Sequence, residues 1–180
     1  LSPEAEKTQS VNTIVFEKGN LIGHNTDIVG FDKAIKALNF HMKDKKVLIL
    51  GAGGVVPSIV FALKEMDVLE ITISNRTKQK AENLKILFKN LNILEWGNLI
   101  DFDVIINATS LGLKNGHDFE VDFTKCKNDA TFIDTIYNPL KTKTFKILEE
   151  KGLRVFNGLD MFIYQGQKSF YLWNKINPEI

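Results

Sequence analysis

Val47-Leu48-Ile49-Leu50-Gly51-Ala52-Gly53-Gly54 is the stretch whose reading decides the fold. Four apolar residues in a row, without alternation, mark a strand covered on both faces. The run enters a glycine turn directly, and an apolar helix follows through about Lys64. A buried strand, a tight glycine turn and a helix, in that order, open a dinucleotide-binding unit. Gly51 permits the sharp turn. Gly53 leaves out the side chain where a pyrophosphate would approach, and the helix N-terminus offers N–H groups and a positive dipole end. The place of the usual third glycine holds Val56, so the fingerprint is a variant one. Pro57 fits the first helical turn, where its missing N–H has no intrahelical partner to lose. A bare strand–helix turn without a ligand is the competing reading of the same residues.

Downstream, strand and helix patterns alternate. Ile71–Ser74, Ile93–Trp96, Val104–Ile106, Thr131–Phe132–Ile133 and Arg154–Phe156 read as strands. Thr77 to about Asn90, Thr142–Lys151 and Leu159 to about Trp173 read as helices. Such alternation calls for an α/β fold with a doubly wound parallel sheet. Its carboxyl ends carry Gly51, Asn75, Asn107 and Asp134, and those ends line the ligand crevice of such sheets.

The second strand runs into Asn75-Arg76-Thr77, 24 residues after Gly51. An NAD-binding sheet places an acid near here to hold the ribose 2′-OH. Here there is no acid. The guanidinium fork of Arg76, flanked by the neutral polar groups of Asn75 and Thr77, suits a 2′-phosphate and points to NADP(H). A solvated charge at a helix start is the alternative, although a cation is unfavourable at that end of the dipole.

Upstream, Ser2-Pro3-Glu4 reads as a capped helix start. Val11–Phe16 and Leu21–His24, joined by Lys18-Gly19-Asn20, read as a hairpin. Ile28, Phe31, Ile35 and Leu38 form a helical stripe, and Asn39–Lys46 is the best linker. This organisation gives three segments. Residues 1–42 are expected to be a partial α/β unit, 43–156 the cofactor domain, and 157–180 a closing helix. Residues 1–42 bury little core by themselves. Their apolar face, with Val11, Ile14, Phe16 and Phe31, is expected to pack against a lobe outside these residues.

Composition bounds the rest. The 180 residues carry 23 Lys+Arg against 22 Asp+Glu, a balance that argues against a nucleic-acid binder. No apolar run approaches the roughly 20 residues of a membrane helix. Cys126 is alone, so an internal disulfide is ruled out and a reducing cytoplasm is the expected setting. His24, His41 and His117 lie far apart in sequence and form no metal-ligand spacing, so no metal is expected. The chain begins at Leu1 without a signal-peptide pattern, as a processed product or a piece of something longer would.

Several short segments together resemble the shikimate dehydrogenase family. They are Val11-Asn12-Thr13, Asn25-Thr26-Asp27-Ile28-Val29-Gly30, Gly51-Ala52-Gly53-Gly54, Asn75-Arg76-Thr77 and Asn107-Ala108-Thr109-Ser110-Leu111-Gly112. Asp134-Thr135-Ile136-Tyr137-Asn138-Pro139 with Thr142, and Gly158-Leu159-Asp160-Met161 with Gln165, Phe170 and Trp173, complete the set. Each is unspecific alone; seven in the family's order are specific. The resemblance implies an NADP-binding Rossmann domain and NADPH-dependent reduction of 3-dehydroshikimate to shikimate, on the way to chorismate and the aromatic amino acids. It implies that Asp27 is the catalytic carboxylate, partner to a lysine in proton transfer. By the same resemblance Asn12, Asp27, Tyr137 and Gln165 contact substrate. Gly51, Ala52, Gly53, Gly54, Asn75, Arg76, Thr77, Asn107, Thr109 and Gly158 line the cofactor.

Two departures accompany it. Positions 55–58 read Val-Val-Pro-Ser, where the family often has small residues and a basic one. The family also carries, ahead of its VNT segment, a lobe with the catalytic lysine and a serine pair for the substrate carboxylate. Here Lys7 is the only basic residue before Asn12, outside that lysine motif. The isolated chain is therefore expected to bind NADPH without turning over.

From the residues alone, the bland readings stay open. Asp27 precedes a helical stripe and could be only an N-cap. Asn12 could mark a bulge or an edge, Gln165 a solvated helix face, Tyr137 a turn. Lys78, Lys80 and Lys85 read as a solvated face. A relative acting on another polyol such as quinate, or with NAD, is one alternative; a non-catalytic NADP-binding module is another.

Overall fold

The computed structural model describes residues 1–99, 101–114 and 117–180. Helix α1 (Pro3–Thr8) begins as its sequence dictates: Ser2 caps it by accepting from the Ala5 N–H at 3.2 Å, and Pro3 takes the first helical position. Strands β1 (Thr13–Glu17) and β2 (Asn20–His24) pair antiparallel, Thr13 opposite His24 and Glu17 opposite Asn20. Helix α2 (Asp27–Ala37) follows. The alternating unit then runs β3 (Lys46–Leu50), α3 (Val56–Glu65), β4 (Glu70–Ser74), α4 (Lys78–Leu87), β5 (Asn92–Leu94), β6 (Val104–Asn107), β7 (Thr131–Asp134), α5 (Lys143–Glu150), β8 (Arg154–Phe156) and α6 (Leu159–Asn174).

Six parallel strands form one sheet in the order β5-β4-β3-β6-β7-β8. The order reverses between β3 and β6, and a doubly wound sheet opens its ligand crevice outside the carboxyl ends at that point. Strand periodicity divides the core between the two faces. Val47, Ile49, Val104, Ile106 and Ile133 pack with α2, α3 and α6. Leu48, Leu50, Ile105 and Phe132 pack on the other face with Leu99, Phe102, Phe123 and Leu148. No helix among the described residues is long and apolar enough to cross a membrane.

Some elements differ from the sequence expectation. Helix α4 stops at Leu87 because Phe88 turns extended and is buried. The strand expected from Val11 begins at Thr13, just past Asn12, whose side chain reaches the start of α2. Phe31 does not face outward. It is 1% exposed, in the core that α2 shares with α3 and α6, because Ile28, Phe31, Ala34 and Ile35 present one stripe to those helices. Val11, Ile14 and Phe16 are exposed, as are Leu21 and Trp173.

Candidate functional site

The sheet order brings the ends of β3, β4 and β6 side by side. The Gly51 N–H donates to the Ser74 carbonyl at 2.8 Å, and the Ala108 N–H to the Leu50 carbonyl at 2.8 Å. Gly51 has φ +115°, and a Cβ there would lie 2.7 Å from the Ala108 oxygen. Only glycine fits both demands. Gly53 and Gly54 are different: a Cβ on Gly53 would meet nothing nearer than 3.9 Å, and one on Gly54 nothing within 4 Å. The missing side chains there leave open space at the start of α3, where Ala52 is half-buried and no side chain caps the helix. Val56, at the third-glycine position, is fully buried in the helix–sheet core. This cradle fits a pyrophosphate, with helix N–H groups supplying donors.

Arg76 sits exposed just past β4 and makes no ion pair or hydrogen bond among the described residues. Asn75 shapes its turn: its amide donates to the Thr77 carbonyl at 2.7 Å. Thr77 begins α4 without a capping bond, and no acid stands in the first turn of that helix. Lys78 and Lys80, read from sequence as a solvated face, lie in that same turn and add positive charge beside Arg76. A phosphate dianion would relieve the charge that the helix dipole opposes.

Asn107 and Thr109, expected along the cofactor, are joined to each other and to Asp134 at the end of β6. Asn107 is fully buried; its amide donates to Asp134 Oδ1 at 2.9 Å and to the Leu111 carbonyl at 3.2 Å. Its oxygen accepts from the Thr109 N–H at 2.9 Å and from the Thr109 hydroxyl at 2.7 Å. Those bonds use the whole amide, so the Asn107 side chain fixes the backbone at the end of β6. Thr109 Oγ1 accepts in turn from the Leu111 N–H at 3.0 Å. Asp134 also accepts from the Ile136 N–H at 3.0 Å and from Thr142 Oγ1 at 2.8 Å. Burial, partly offset by these bonds, pushes its carboxyl above the usual range.

A second cluster forms where α2 meets the hairpin and α6. Asn12 Nδ2 donates to Asp27 Oδ1 at 2.9 Å, and Asn12 Oδ1 accepts from the Thr26 N–H at 2.9 Å and Thr26 Oγ1 at 3.1 Å. Thr26 Oγ1 reaches Gln165 Oε1 at 3.4 Å and Ser169 Oγ at 3.0 Å. Ser169 Oγ lies 2.7 Å from Thr13 Oγ1. Asn12, Asp27 and Gln165, from three distant parts of the chain, thus come together. Asp27 is not an N-cap: it is the first residue of α2, and its carboxylate turns to Asn12. Thr13 and Thr26 lie inside the segments that carry the family resemblance but are not site residues on the sequence reading, and Ser169 lies outside those segments; Thr13 and Ser169 are 156 residues apart.

Glycines allow this convergence. A Cβ on Gly30 would lie 2.7 Å from the Met161 carbonyl and 2.8 Å from Gln165 Cβ, so α2 crosses α6 closely. A Cβ on Gly158 would lie 2.1 Å from the Thr135 oxygen, and the Gly158 N–H donates to the Ile136 carbonyl at 3.0 Å. Tyr137, next in the chain after Ile136, stacks on Phe162 of α6 with ring centroids 4.2 Å apart. Phe162, Gln165 and Ser169 follow one stripe of α6.

Burial pushes the Asp27 carboxyl above its usual range, while the Asn12 bond partly offsets the rise. Among the described residues no cation pairs with it. A raised carboxyl pKa means that the fold binds this proton more tightly than the unfolded chain does. Its stabilisation is present below the ordinary pKa of about 3.9 and is lost as pH rises through the folded value. Asp27→Asn keeps the acceptor toward Asn12 and cannot ionise. Its melting temperature should match or exceed that of the parent at neutral pH, with the advantage gone at about pH 3. A variant less stable at pH 7 than at pH 3, relative to the parent, would contradict the assignment.

The family model described as Shikimate / quinate 5-dehydrogenase matches residues 32–136. Shikimate dehydrogenase (NADP(+)) of Pelagibacter ubique is 49% identical over 180 residues, covering all of this chain and 68% of that protein. Its counterpart from Bacillus mycoides is 36% identical over 189 residues, with 100% and 68% covered. The crystal structure of shikimate 5-dehydrogenase from Thermus thermophilus, in complex with NADP(H) and shikimate, superposes with a TM-score of 0.89 at 34% identity, over 99% of this chain and 67% of that one. The chain thus spans about two thirds of the length of these relatives.

Proposed function

Because this chain belongs to the shikimate dehydrogenase family, we propose that it forms the cofactor domain and the Asp27 side of an NADP-dependent dehydrogenase that interconverts 3-dehydroshikimate and shikimate. The observation that carries the reading is the convergence of Asn12, Asp27 and Gln165 in one hydrogen-bonded cluster. The glycine cradle and Arg76 supply the cofactor half. When bound, the nicotinamide supplies or takes up the hydride. The chain's residues do the rest. Gly53, Gly54 and the uncapped start of α3 hold the pyrophosphate, and Arg76, with Lys78 and Lys80 beside it, holds the 2′-phosphate. Asn12, whose amide keeps one N–H free among the described residues, and Gln165 suit ring hydroxyls, and Tyr137 adds a polar edge beside α6. The Asp27 carboxylate, held by Asn12, orients an ammonium donor and keeps it charged. Among the described residues Asp27 meets no such cation, so the 180-residue chain should bind NADPH without measurable turnover. A cytoplasmic setting belongs to the proposal; the lone buried Cys126 supports it.

Arg76→Ala tests the cofactor assignment. NADPH binding should weaken roughly ten- to a hundred-fold, while NADH binding changes by less than about twofold. Equal losses in a fluorescence titration of the two cofactors would sink the 2′-phosphate role.

A further inference from the structure

Ser58 stands in the Val55-Val56-Pro57-Ser58 stretch where the sequence departs from its family's habit. It is the third residue of α3, the helix that opens from the glycine turn, and it is 0% exposed. A hydroxyl so placed is costly unless it is hydrogen-bonded. It does not cap its own helix. Its partner is Asn25, 6% exposed, from the loop before α2: Nδ2 donates to Ser58 Oγ at 2.9 Å, and Oδ1 lies 3.2 Å from the same oxygen. The Asn25 amide also donates to Thr8 Oγ1 at 3.0 Å, and its oxygen accepts from the Asp27 N–H at 3.1 Å. One buried amide therefore joins α1, α3 and the first residue of α2.

We infer that Ser58 and Asn25 are positioning residues that tie the placement of Asp27 to the cofactor helix. The inference rests on the proposed roles of the glycine turn and of Asp27. It goes beyond them by naming the link between the two. The link is short and buried. The hydroxyl of Ser58 is fixed to the helix backbone through one side-chain torsion, and Asn25 is saturated by its neighbours. Ordering of the glycine turn and α3 around a pyrophosphate is then felt at the Asp27 backbone. Neither side chain needs to touch the ligand.

The test is amide hydrogen exchange at Asp27, read by NMR on the 180-residue chain with and without saturating NADPH. In the parent, NADPH should slow exchange of the Asp27 amide. Ser58→Ala keeps a good helix former at that position and should bind NADPH within about twofold of the parent. Without cofactor its Asp27 amide should exchange about tenfold faster, the scale of one lost buried hydrogen bond. The NADPH-dependent slowing should be lost. Asn25→Ala should produce the same loss, and the double variant should add little to the larger single effect. Full retention of the slowing in Ser58→Ala, or strict additivity of the two variants, would overturn the inference. Failure of the parent to bind NADPH would instead overturn the cofactor reading. The cofactor-free comparison would still decide the Ser58–Asn25 link, an unchanged Asp27 rate counting against it.

Discussion

Asp27→Asn should cut turnover by about a hundred-fold or more in a fusion that supplies the family's N-terminal lobe ahead of Leu1, while leaving the fold intact. The asparagine retains the acceptor that meets Asn12 Nδ2 at 2.9 Å and the backbone N–H that Asn25 accepts. It loses the charge that would orient an ammonium and keep it protonated. General acid–base steps contribute about a hundred- to ten-thousand-fold, and a loss in kcat of that size is expected. NADPH affinity should stay within about twofold, since Arg76 and the glycine cradle are untouched. Steady-state kinetics with 3-dehydroshikimate decide the matter. Near-parental kcat in a well-folded variant would end the catalytic role of Asp27. A fall confined to KM would recast it as a substrate contact alone.

The second large effect is expected at Gly158. An alanine there would set its Cβ 2.1 Å from the Thr135 oxygen and 2.5 Å from the Thr135 carbonyl carbon. Both atoms belong to backbone, so no side chain can swing away. The backbone of Gly158 is ordinary, with φ −82°, and the conflict is one of space alone. Relief requires the segment Thr135–Tyr137 to move off α6, which breaks the Gly158 to Ile136 bond and the stacking of Tyr137 on Phe162. Overpacking of this kind costs roughly 3 kcal/mol or more. A melting-temperature drop on the order of 10 °C follows for a chain of this length. Gly166→Ala is the control. It lies within the same helix, and its Cβ would meet nothing within 4 Å. It should raise stability by about 0.5–1 kcal/mol through helix propensity. Equal melting temperatures for the two variants would show that the close approach at Gly158 is not what sets the geometry.

The fold was legible in local pattern. A four-residue apolar run before a glycine turn is a strong signal, since burial on both faces removes alternation and the turn needs φ above zero at Gly51. The chain supplied that signal at β3 and repeated weaker forms of it at β4, β6 and β7. Boundaries were less legible. Helix α4 ends where Phe88 is drawn into the core, a tertiary pull that no propensity records. Phe31 shows the same limit from the other side: an apolar stripe states that a helix has a partner, not which one.

The candidate site divides along the same line. Sequence by itself determined the doubly wound sheet and the glycine turn at the end of β3, and it set Arg76 at the end of β4 where the proposed 2′-phosphate contact needs a cation, because each rests on residues close together in the chain. Only the tertiary structure decided that Asp27 is held by Asn12 rather than capping its helix, and that Asn107 is consumed by Asp134, Thr109 and Leu111. It alone placed Gln165 against Thr26 and seated Ser58 on Asn25. These pairings span up to 139 residues. The β6–β7 register, the crossing of α2 over α6 at Gly30 and the seating of α1 and α2 on α3 set them, and a hydrogen bond depends on where two backbones meet rather than on either local pattern.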